Sequence, residues 1–87
     1  MNNSWEHINA AGTYVIKPGH GILHAVCINT TASAIITVYD NASAASGRII
    51  AVFKSAIVEG TYFFDIPVTE GITVVTAGAS DITVIFT

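Results

Sequence analysis

From Gly12 to Thr87, runs rich in Val, Ile, Thr, Tyr and Phe are broken by turn residues every 8–12 positions, a rhythm that fits an antiparallel sandwich or barrel and little else. The rhythm predicts strands over 12–17, 21–29, 33–40, 47–54, 60–66, 71–76 and 80–87. Between them stand Pro18-Gly19, Asn29-Thr30, the loop Asn41 to Ser46, Glu59-Gly60, Glu70-Gly71 and Ala77-Gly78. The Ala-Ser loop is too short, and too rich in small polar residues, for a helix. The expected class is all-β: a small antiparallel β-sandwich or jelly-roll-like barrel of about seven to eight strands, with no significant helix. Residues 11–87 form this domain. Residues 1–10, polar and without a period apart from Trp5 and Ile8, read as an N-terminal arm.

The alternation within the strands is incomplete. Over 21–29, Ile22, His24, Val26 and Ile28 share one face, and Leu23, Ala25 and Cys27 share the other. Over 47–54, Ile49, Ala51 and Phe53 oppose Ile50 and Val52; over 80–87, Ile82, Val84 and Phe86 oppose Thr83 and Ile85. A strand with one wet face alternates apolar with polar. These strands are apolar on both faces, so the second face is expected to lie against another subunit.

Size and charge point the same way. A chain of 87 residues is one domain with a thin core, a weakness that small proteins offset with disulfides, metals or oligomers. Cys27 is the only cysteine, which excludes an internal disulfide, and no metal-ligand pair stands at finger or ribbon spacing. Charged residues number nine, where about 22 would be ordinary for this length. A 9.1 kDa monomer exposes about 4,900 Å² by the usual scaling, and nine charges leave wide apolar patches on such a surface. Oligomerisation is the remedy left. The apolar runs are far short of the ~20 residues of a membrane-spanning helix. No basic segment followed by an apolar stretch opens the chain, so no signal peptide is expected. A net charge of -3, with Lys17, Arg48 and Lys54 as the only cations, leaves no footprint for nucleic-acid phosphates.

Candidate chemistry is sparse. His20 and His24 would point the same way on a strand, about 13 Å apart, too far to share a metal without a bend at Gly21 or a symmetry axis. His7 has no partner pattern. Asp40, Asp65 and Asp81 fall at strand ends, and Glu59 and Glu70 in turns, where acids ordinarily bond local backbone or face water. Cys27 lies in an apolar strand with no base nearby and reads as a small hydrophobe. No nucleophile elbow, phosphate loop or dinucleotide fingerprint occurs. No catalytic residue, cofactor or metal is expected, and the chain is read as a non-enzyme. One internal echo stands out. Gly12-Thr13-Tyr14 with Gly21-Ile22 recurs as Gly60-Thr61-Tyr62 with Gly71-Ile72, and Ile36-Thr37-Val38-Tyr39 is echoed by Ile82-Thr83-Val84-Ile85-Phe86. The offsets are 48, 50 and 46 residues.

The run Gly21-Ile22-Leu23-His24-Ala25-Val26, then Asn29, Ile36-Thr37-Val38-Tyr39-Asp40-Asn41 and Ser46-Gly47 resembles many small proteins encoded among tailed-bacteriophage virion genes. So does the later stretch of Gly60-Thr61-Tyr62, Asp65, Gly71-Ile72-Thr73-Val74-Val75-Thr76, Gly78 and Asp81-Ile82-Thr83-Val84. The resemblance covers residues 12–86 and implies a β-sandwich building block of the virion, a head decoration protein or a tail or fibre component, with no active site. The expectation is a homo-oligomer, a trimer, attached to major capsid or tail proteins, with neither nucleic acid nor membrane as partner. Trp5, Ile8, Ile50, Val52 and Ile85 are the residues expected to face partners, from the arm and from the second faces of the strands, with Trp5 folding back on its own core as the equal alternative. The alternative is a lectin-like carbohydrate-binding module, in which Trp5 stacks on a sugar and Tyr14, Tyr39 and Tyr62 add aromatic surface.

Overall fold

A computed structural model describes residues 4–44 and 46–87. Eight strands follow in order: β1 (Ser4–Ile8), β2 (Gly12–Pro18), β3 (Gly21–Thr30), β4 (Ile36–Asp40), β5 (Arg48–Phe53), β6 (Gly60–Val68), β7 (Gly71–Thr76) and β8 (Asp81–Phe86). They form two four-stranded sheets, β1-β8-β3-β6 and β2-β7-β4-β5, and every pairing is antiparallel. This strand order is that of a jelly roll. No helix occurs among the described residues.

The core lies between the sheets. Ile8, Leu23, Val26, Ile28, Val68, Ile82 and Val84 project from the first sheet, and Ile36, Val38, Phe53, Ile72 and Val74 from the second. Each such side chain, fully buried, contributes roughly 1.5–3 kcal/mol. At the open side between β5 and β6, Phe53 meets Tyr62 and Phe64 edge-on, with ring centroids 5.4 and 6.0 Å apart. Across the end of the sandwich, the buried carboxylate of Asp40 accepts the backbone N–H groups of Thr69, Glu70 and Gly71 and the Thr69 hydroxyl, at 2.8–3.2 Å. One side chain at the end of β4 thereby holds the whole β6–β7 turn. Burial alone would raise its pKa, but the bonds from Glu70, Thr69 and Gly71 outweigh burial and hold it below the usual carboxylate value.

Seven strands follow the expected pattern, with 33–40 shortened to begin at Ile36. The segment read as an arm does not stay free: Ser4–Ile8 pairs with β8 from Ser4↔Phe86 to Ile8↔Ile82. Residues 1–3 of that segment lie outside the described residues. An edge strand needs only one buried anchor, and Ile8, 2% exposed, supplies it. The face assignment along β3 also changes. The register slips between Leu23 and Ala25, and against β8 the extra residue is His24. Against β6 the extra residue is on β6, where Phe64 and Asp65 oppose His24 and Asp65 takes a φ of 51°. Leu23 joins Val26 and Ile28 in the core, and Ile22 turns outward. A second slip, between Ala51 and Ile49 opposite Val38/Tyr39, turns Ile50 toward the core and Ile49 to the outside.

Candidate functional site

The molecule presents its chemistry on the outer faces of the two sheets; among the described residues there is no pocket. On the outer face of the first sheet, two transverse rows run across all four strands. The apolar row is Trp5–Ile85–Ala25–Phe63, set by the registers Trp5↔Ile85, Ala25↔Ile85 and Ala25↔Phe63. Trp5 and Phe63 are 68% and 77% exposed on the two edge strands, while Ala25 at the floor is 3% exposed. Covering the two rings would remove roughly 100–150 Å² apiece from water, about 3 kcal/mol each.

The neighbouring row is polar and closed on itself. His7 Nε2–H donates to Asp81 Oδ1 at 2.6 Å, and Asn29 Nδ2 donates to Asp81 at 3.1 Å and to Thr83 Oγ1 at 3.3 Å. The Cys27 thiol donates to Asn29 Oδ1 at 3.3 Å, and the Thr61 hydroxyl donates to Cys27 Sγ at 3.4 Å. The row thus links β1, β8, β3 and β6 side chain to side chain. The bond from His7, then that from Asn29, holds the Asp81 carboxyl below its usual pKa.

A second relay sits where the β3 bulge faces Asp65. His24 Nδ1–H donates to Asp65 Oδ1 at 2.9 Å, and the Thr87 hydroxyl donates to His24 Nε2 at 2.9 Å. Acid, imidazole and hydroxyl stand here in the order of a nucleophile triad. The surroundings supply little else. Thr87 N–H donates to Ile22 O and Ile22 N–H to Thr87 O, so these backbone donors are already spent, and the Asp65 side chain is 70% exposed. The relay ties the last described residue to β3 and β6. His20 is exposed in the β2–β3 turn, and no three His, Cys, Asp or Glu side chains gather to hold a metal ion among the described residues.

The outer face of the second sheet carries two rows without a charged residue, Ile49–Tyr39–Thr73–Val15 and Val52–Thr37–Val75–Thr13. Its exposed apolar residues are Val15, Ile49 and Val52, at 47%, 56% and 58%. The five residues expected to meet partners therefore separate. Trp5 and Ile85 are neighbours on the first outer face, and Val52 lies on the second. Ile8 and Ile50 are corrected: Ile8 is in the core, and Ile50 packs against it through the slip in β5. Phe63, Ile49 and Val15 are exposed apolar residues of the same two faces that the sequence did not single out. Phe63 was legible, because it alternates with the inward Tyr62 and Phe64.

No protein-family model matches the chain, and no curated protein sequence matches it. Among the solved structures that match is the Drosophila NLP core, described in connection with pentamer formation and histone binding. It superposes with a TM-score of 0.56 at 10% identity, covering 100% of this chain and 97% of that one. At that identity the likeness is one of fold: eight antiparallel strands in a small sandwich.

Proposed function

We propose that the protein is a non-enzymatic structural building block that self-associates through the outer faces of its sheets and serves in a tailed-bacteriophage virion, on the head or in the tail. The observation that carries the reading is the exposure of Trp5, Phe63, Ile49, Val52 and Val15 on those two faces of a chain with nine charges. Its surface of 4602 Å² is near the ~4,900 Å² expected of a compact monomer, and Trp5, Phe63, Ile49, Val52 and Val15 stand on that surface. Contacts of ordinary size, about 800 Å² on each of two sides, would cover roughly a third of it. The virion setting rests on the resemblance over residues 12–86. Three-fold assembly is the expected order; a sandwich of this fold in Drosophila is described in connection with pentamer formation, which favours homo-oligomerisation without favouring three-fold order.

Sedimentation of the purified protein tests the physical half: an oligomer at micromolar concentration is expected, and a monomer rejects it. Labelling of purified particles with an antibody to the chain tests the setting. A carbohydrate-binding reading is favoured by one observation, the exposed indole of Trp5 beside a row of polar side chains. Glycan-array binding lost on Trp5→Ala would replace the structural reading with that one.

A further inference from the structure

The repeated Gly-Thr-Tyr of the sequence has a structural counterpart. Advance every strand by four places and the first sheet, β1-β8-β3-β6, becomes β5-β4-β7-β2, which is the second sheet read from its other edge. The segments β1–β4 and β5–β8 therefore occupy equivalent positions about an internal two-fold.

A symmetric fold does not oblige the two halves to share residues, yet they do so where the backbone is most constrained. Gly12 and Gly60 open β2 and β6 with φ of 153° and 148°, a region open in practice to glycine alone. Two residues on, the Tyr14 hydroxyl donates to Ala10 O and the Tyr62 hydroxyl to Val58 O, each four residues back. Gly21 and Gly71 open β3 and β7 against crossing backbone. A Cβ on Gly21 would stand 2.3 Å from Thr87 O, and one on Gly71 2.4 Å from Lys17 O and 3.0 Å from Asn41 O. Thr87 and Asn41 directly follow β8 and β4. The outer rows correspond as well, Trp5–Ile85–Ala25–Phe63 to Ile49–Tyr39–Thr73–Val15, with β6 on β2 at the 48-residue offset and β8 on β4 at the 46-residue offset of the sequence echo. Ala25 and Thr73 are 48 apart, so β3 and β7 slip by two residues between Gly21/Gly71 and this row.

All six strand pairings join one half to the other: β1·β8, β3·β8, β3·β6, β2·β7, β4·β7 and β4·β5. Neither half has a ladder of its own among the described residues. We propose that the chain is a tandem duplication of one four-strand unit, and that the surface this unit buries is a self-association surface whose partner is a second copy of the same unit. The natural protein carries both copies in one chain, joined by residues 41–47. The inference stands apart from the assembly reading, because it concerns contacts within one subunit.

Two full-length symmetrised chains test it, one with the first half in both positions and one with the second half in both. At least one is expected to show the β-type circular dichroism of the natural chain and a single cooperative thermal transition. In the natural chain, Gly12→Ala and Gly60→Ala are expected to lower Tm by amounts within about twofold of each other, roughly 5 °C or more apiece. Two symmetrised chains without a cooperative transition would overturn the duplication. So would one glycine substitution that is silent while the other unfolds the protein.

Discussion

The two sheets of this sandwich bury similar inner faces and present different outer ones. On the second sheet, two rows from β2 to β5 contain no charged side chain. The first sheet bears aromatic rings on its edge strands, a hydrogen-bonded row from His7 to Thr61, and both histidine–aspartate pairs, His7–Asp81 and His24–Asp65. The first face is therefore fastened to itself by polar bonds as well as being apolar, whereas the second has only apolar surface and hydroxyls to offer. Substitutions inside the sandwich should act on folding, and substitutions on either outer face should act on association.

The largest effect is expected from Ile82→Asp in central strand β8. Ile82 is fully buried, and an unpaired charge there costs several kcal/mol, enough to abolish the folded state of so small a domain. Soluble, cooperatively folded Ile82→Asp protein would show that the inner face is wrongly assigned. Next comes Asp40→Ala, which orphans three backbone N–H groups of the β6–β7 turn and should cost about 2–4 kcal/mol in chemical denaturation. Because the folded pKa of Asp40 is lowered, its contribution is complete above the unfolded value of 3.8. That contribution fades as the pH falls below 3.8 toward the folded value. The acid limb of the stability curve should therefore flatten in Asp40→Ala; an unchanged limb would remove Asp40 from this role.

The sequence carried the inner faces of the central strands but not the fastenings. Ile82 and Val84 alternate with Thr83 and Ile85, and the structure keeps that order. The bulges at His24 against β8 and at Phe64–Asp65 against β3 have no local signature, since they are set by strand pairing, so Leu23 and Ile22 exchanged faces. β1 went unread because four of its five residues are exposed and an edge strand shows no apolar run. His7 and Asp81 are 74 residues apart and His24 and Asp65 are 41 apart, distances at which spacing says nothing about contact. For the exposed aromatic of β1, Trp5, the sequence left its own core and a partner surface equally open, and Phe63 was overlooked beside it.

Smaller effects sharpen the contrast between the faces. Removing residues 4–8 strips the Ile8 anchor and the edge ladder from β8; a loss of about 2–4 kcal/mol is expected by thermal melting. A truncated protein as stable as the full chain would return β1 to the status of an arm. His7→Ala, by contrast, breaks an exposed pair and should change stability by less than about 1 kcal/mol. A larger loss would mean that the polar row acts as one unit.

Whether the outer faces are association surfaces is decided by sedimentation equilibrium of the natural chain beside Phe63→Asp and Val52→Asp. Phe63 and Val52 are 77% and 58% exposed, so both variants should keep the native β-type circular dichroism and melting behaviour. The natural chain is expected to sediment as an oligomer of the 9.1 kDa subunit, with at least one variant reduced to a lower mass. A natural chain that sediments as a 9.1 kDa monomer throughout the micromolar range, or two variants that assemble as the natural chain does, would show that these faces do not drive association.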